Sequence, residues 1–116
     1  MDGQSAGIPV VLALPAEIDV TNCDSVAVSL ALSIDNAALV IADLTGTVFC
    51  DSSGMQVLFA AHQRAVARGC SLRMVVRPGD SVARVLALVG LDRILAIYDS
   101  VVDAMPARRA AIQLAD

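Results

Sequence analysis

The stretch Thr47 to Phe59, TVFCDSSGMQVLF, places a carboxylate, two hydroxyls and a glycine between two apolar runs. Side chains of these types in this order could do three kinds of chemistry. Ser52 or Ser53 could cap a helix, its oxygen accepting an N–H of the first turn while Asp51 complements the positive end of the dipole. Either could act as a nucleophile, or either could accept a phosphoryl group. The nucleophile lacks its companions. G-x-S-x-G is absent, and so is an evident base and acid to activate the hydroxyl. His62 is the only histidine, and on a helical wheel it falls among Met55, Leu58 and Val66, where a packed residue is expected in place of a base or a ligand. Neither G-x-G-x-x-G nor a Walker lysine occurs, which removes the phosphate-binding loops. Phosphorylation at a helix start is compatible with the fold, because free N–H groups and the dipole tolerate the added charge. A cap and a phosphate acceptor remain.

The elements that must position these residues can be read from the apolar spacing. Ile8 to Leu14 is a short apolar run, interrupted at Pro15-Ala16 before Glu17 to Val20 alternate polar and apolar, which predicts two strands joined by a tight turn. Thr21 with Asp24 three residues on has the spacing of a capping box. Cys23, Val26, Ala27, Leu30, Ala31 and Ile34 then mark one face of a helix ending near Asp35-Asn36. Ala38 to Leu44 is nearly continuous in apolar character, as expected of a strand covered on both faces. The short Val48-Phe49-Cys50 run reads as a buried strand leading into Asp51. Met55, Leu58, Phe59, Ala61, Ala65 and Val66 predict a helix stopped by Gly69.

Leu72 to Val76 predicts another strand, left through Pro78-Gly79. Asp80 or Ser81 can cap a helix carrying Val82, Val85, Leu86 and Val89, which Gly90 ends. Ile94 to Tyr98 predicts a last strand, and Ser100 with Asp103 repeats the capping-box spacing before a final helix. Pro106 breaks that helix and leaves Ala107 to Leu114 as a second helical piece. The alternation implies a single α/β domain over residues 8–116 after a tail at 1–7, with a mixed, mostly parallel sheet of four to five strands and about four helices. In open sheets of this kind functional groups collect at the carboxyl ends of strands. Asp51-Ser52-Ser53-Gly54 follows a strand and opens a helix.

Composition narrows the function classes. Of 116 residues, 57% are hydrophobic and only 3% aromatic, so the core is expected to be aliphatic. Mean hydropathy is +0.71, yet charge, Gly or Pro interrupts every apolar run well short of the roughly 20 residues of a spanning helix. No membrane insertion is expected. The polar Met1 to Gly7 does not resemble a secretory leader, and a cytoplasmic location is expected. Twelve acidic residues against eight arginines and no lysine give a formal charge of -4, which argues against nucleic acid as a partner. Cys23, Cys50 and Cys70 follow no metal-ligand spacing. They read as small buried groups or, alternatively, as a redox-sensing pair. No cofactor or metal is expected.

The run DLTGTVFCDSSGMQVLF resembles the signature of STAS domains, in particular of free-standing anti-sigma factor antagonists. AEID at Ala16 to Asp19 and VLALVGLDRILAIYDSVVDAM at Val85 to Met105 extend the resemblance over most of the chain. The resemblance implies a protein that is not an enzyme. When unphosphorylated it binds an anti-sigma factor that is also a serine kinase, and so frees a sigma factor. It implies Ser53 as the residue that the kinase phosphorylates, and a metal-dependent serine phosphatase that reverses the modification. Asp19, Asp51 and Ser52 are implied neighbours of the acceptor, with Gly54, Met55 and Leu58 in the docking surface. Ala16 stands where the family commonly has Gly, and Gln56 where a small residue is frequent. The alternative the resemblance leaves is a STAS accessory subunit of a membrane transport complex.

Overall fold

The computed structural model describes residues 8–106. The expected tail at 1–7 and the expected helical piece from Ala107 to Leu114 lie outside them. Among the described residues the order is β1 (Val10–Ala13), β2 (Glu17–Ile18), α1 (Cys23–Asn36), β3 (Leu39–Asp43), β4 (Phe49–Cys50), α2 (Ser52–Arg68), β5 (Ser71–Val75), α3 (Ser81–Val89), β6 (Ile97–Tyr98) and α4 (Val101–Ala104). Four strands form a sheet in the order β1-β3-β5-β6, and β2 and β4 form a separate ribbon. Every pairing is parallel.

The central strand β3 explains its own composition. Val40 and Ala42 pack with Leu30, Leu58 and Leu86 from α1, α2 and α3. Ile41 points the other way, to Val75 and to Ala104 of α4. Alternate side chains of a strand face opposite sides, so a strand covered on both faces is apolar throughout. Glycine ends α2 and α3 as the sequence predicts: Gly69 (φ 71°) and Gly90 (φ 81°) adopt the left-handed conformation of a helix stop. Asp80 caps α3, accepting from Val82 N and Ala83 N, and Ser100 caps α4, accepting from Asp103 N.

Several expectations are corrected. The first two strands do not pair across a tight turn. β1 pairs with β3 and β2 with β4, because the chain changes sheet at Pro15-Ala16. There the Pro15 carbonyl accepts the buried Thr47 hydroxyl at 2.8 Å, and the Ala16 carbonyl accepts Val48 N and Phe49 N at 2.7 and 3.2 Å. The Thr21–Asp24 capping box does not form. Thr21 donates to Asp19 instead, and Asn22 ties the turn by accepting from Asp19 N and donating to the Glu17 carbonyl. Val66 and Val89 are exposed. Val66 lies off the buried Leu58-Ala61-Ala65 stripe of α2, and Val89 is the last residue of α3. The last strand is only Ile97–Tyr98, preceded by a 3-10 turn at Leu91–Arg93.

Candidate functional site

The site is the junction where β4 becomes α2. β2 and β4 run in register with Ile18 opposite Cys50 and Glu17 opposite Phe49, and Asp51 N donates to the Ile18 carbonyl at 3.2 Å. This pairing carries Asp19, the residue after β2, and Asp51, the residue after β4, to the same end of the ribbon. Asp51 is the helix cap. Its Oδ1 accepts from Ser53 N at 2.9 Å and Gly54 N at 3.2 Å. The cap reading of the serines is therefore corrected: a carboxylate fills that role, and among the described residues neither serine hydroxyl is engaged in a hydrogen bond. Ser52 is exposed and Ser53 half-buried.

Gly54 is required by close packing. A Cβ there would collide with Cys50 Sγ and lie 2.9 Å from Ile18 Cγ2, so α2 can start against the ribbon only without a side chain at this position. Met55 and Leu58 are buried, with 5% and 0% of their surface exposed. Gly54, Met55 and Leu58 thus support the surface around Ser53 from beneath and do not present it. Asp19 lies beside the site, its Oδ1 accepting from Thr21 N and the Thr21 hydroxyl. The Thr21 hydroxyl, followed by its N–H, holds this carboxyl below the ordinary aspartate range.

The remaining candidates fall elsewhere. His62 is nine residues beyond Ser53 on α2, about 13 Å along the axis, where it stacks on Phe59 with ring centroids 6.4 Å apart. No general base reaches the serine from there. Cys50 and Cys70 are buried. Burial, with a smaller contribution from Asp51, pushes the Cys50 thiol up to about 11, and burial raises Cys70 too. A concavity of about 160 Å³ lies between α3 and the end of β6, lined by Val76, Leu86, Ile97, Asp92 and Asp99 among others. It does not include Asp51 to Gly54. The candidate site is a surface, not a pocket.

Sequence reasoning placed Val48 and Phe49 in a buried strand, and the structure corrects this. Thr47 and Cys50 turn inward, while Val48 and Phe49 are 65% and 50% exposed. It also passed over the link from Ser81 of α3, whose Oγ donates to the Val48 carbonyl at 2.9 Å. No residue pattern announces either feature, because a three-residue apolar run does not reveal which of its side chains the rest of the fold will cover.

The family model of the STAS domain matches residues 3–104. The chain belongs to the STAS domain family. Among solved structures, this STAS domain is similar to an anti-sigma factor antagonist from Mycobacterium paratuberculosis, at 23% identity and a TM-score of 0.73 over 81% of this chain and 80% of that one. It is similar to a putative anti-sigma factor antagonist from Thermotoga maritima, at 25% identity and 0.73 over 84% of each chain. The antagonist SpoIIAA in its unphosphorylated form superposes at 17% identity and 0.65, over 99% of this chain and 92% of that one. The Bacillus protein has also been solved in its phosphorylated form, with a TM-score of 0.57. A search against curated proteins returns no match. Among the described residues no helix is long and apolar enough to cross a membrane.

Proposed function

We propose that this STAS domain is an anti-sigma factor antagonist switched by phosphorylation of Ser53. Unphosphorylated, it binds an anti-sigma serine kinase through the surface around Asp19, Asp51, Ser52 and Ser53, and the kinase releases its sigma factor. Phosphorylation ends the interaction, and a serine phosphatase restores it. The protein catalyses nothing itself. The observation that carries this reading is the division of labour at the start of α2: Asp51 takes the cap, which leaves the Ser53 hydroxyl, among the described residues, without a hydrogen-bond partner at the surface.

The same geometry supplies a physical basis for the switch. A phosphoryl group adds about -1.5 to -2 charges at pH 7. Two N–H groups of the first turn, those of Ser53 and Gly54, already donate to Asp51. A phosphate on Ser53 is thus placed beside a carboxylate, where it changes both the shape and the charge of the docking face. Fold likeness to antagonists, one of them solved in both phosphorylation states, supports the reading.

The test is to incubate the protein with ATP and the anti-sigma kinases of its host and to follow the intact mass. One phosphate is expected on the unmodified chain and on Ser52→Ala, and none on Ser53→Ala. Absence of phosphate on every variant, with each kinase active on another substrate, would leave the junction as a plain helix start. Co-purification with transporter subunits and no kinase would favour a transport-associated role.

A further inference from the structure

Val48 and Phe49 are large apolar side chains held outward. The inward positions of the same segment are taken by Thr47 and Cys50. The two are also fixed in place: both their N–H groups donate to the Ala16 carbonyl, and the Val48 carbonyl accepts from Ser81 Oγ. Of the two Phe and one Tyr in the chain, Phe49 is the one classed as exposed. Cys50, between Phe49 and Asp51, packs against Gly54, so this apolar pair and the start of α2 form one rigid unit. On the ribbon side the charges are acidic, while α3, which Ser81 ties to Val48, carries Arg84. Glu17 is the register partner of Phe49, Asp19 and Asp51 end the two strands, and neither Pro15 to Asp24 nor Thr45 to Gln63 contains Arg or Lys.

We propose that Val48 and Phe49 are the apolar seat of the docking face, and that the anti-sigma kinase fills it with an apolar side chain flanked by Arg or Lys. This rests on Ser53 being that kinase's substrate. A rigid aromatic anchor gives contact area with little ordering cost, which is why such residues dominate interface energetics. The acidic groups of the ribbon favour a basic partner surface and speed its approach. The seat adds to Ser53 a second determinant, one that sets affinity independently of the acceptor hydroxyl.

The experiment uses a kinase that phosphorylates the unmodified protein by the mass assay. Its Kd for unphosphorylated variants is measured by titration calorimetry at two salt concentrations, with far-UV dichroism to show that each variant is folded. Phe49→Ser is expected to weaken binding at least about tenfold, and Phe49→Leu to stay within about threefold of the unmodified protein. Glu17→Arg should weaken binding and flatten its salt dependence, whereas Leu88→Ser, at the far end of α3, should change neither. Binding of Phe49→Ser and Val48→Ser within about twofold of the unmodified protein, with Ser53 still phosphorylated, would remove the seat and leave the functional reading standing. Self-association that depends on Phe49 while kinase binding does not would assign the pair to a second copy and overturn the proposal. If no kinase binds or modifies the unmodified protein, the functional reading fails and the seat fails with it.

Discussion

The first turn of α2 is organised by Asp51 and Gly54, and each makes a prediction. Asp51→Ala removes an N-cap that satisfies two N–H groups, which should cost about 1 kcal/mol in urea unfolding, while Asp51→Asn should retain most of it. Gly54→Ala places a methyl group against Ile18 and Cys50, and the strain of overpacking should cost about 1–3 kcal/mol. Cys50→Ala in the same chain should return part of that loss, because it removes one of the two obstacles. A double-mutant cycle measures the coupling. At this scale much was legible: the residues of the junction, their order and the strand-to-helix setting all follow from the sequence. Which side chain caps was not. Asp and Ser are almost equally good caps, and only the backbone path decides which oxygen meets the free N–H groups.

Between elements, helices α1 and α2 are clamped at one end by Asp35, whose carboxylate receives Arg64 Nη2 at 2.6 Å and Arg64 Nε at 2.8 Å, with Arg68 Nε at 3.3 Å. The hydrogen bond from Arg64, reinforced by the charges of Arg64 and Arg68, holds the Asp35 carboxyl below its ordinary 3.8. A carboxyl depressed in the native state favours folding above its unfolded value. That contribution is lost as pH falls from there through the lowered native value. Thermal melts from about pH 6 down to about pH 3 should therefore show a shallower loss of Tm in Asp35→Asn than in the unmodified protein. The pair is exposed, so the effect should shrink in high salt. The sequence located both helices through their apolar spacing. It did not show that Asp35 and Arg64, 29 residues apart, would meet, since spacing within a helix carries no information about its neighbour.

Across the whole molecule, the cysteines report how completely the fold closes. Cys50 and Cys70 are buried and Cys23 only half-buried. The rise of Cys50 to about 11 from an ordinary 9.0 cuts its thiolate fraction near pH 8 by about a hundredfold. Alkylation of the native protein followed by mass should show one label added quickly, at Cys23, and two added only at the rate of opening. Leu58→Ala, at a fully buried position in the main core, should cost about 2–5 kcal/mol and speed the slow labels. The α/β class, the alternation of strands and helices, the glycine stops and the D-x-S-G junction were all legible in the chain, because these depend on local spacing and on the backbone preferences of single residues. Tertiary structure decided what depends on which segments meet. Pro15-Ala16 passes the chain from one sheet to another instead of turning back. Met55 and Leu58 fall beneath the surface they were expected to form, and Val48 and Phe49 fall upon it. Burial belongs to the packed whole, and no short run of residues carries it.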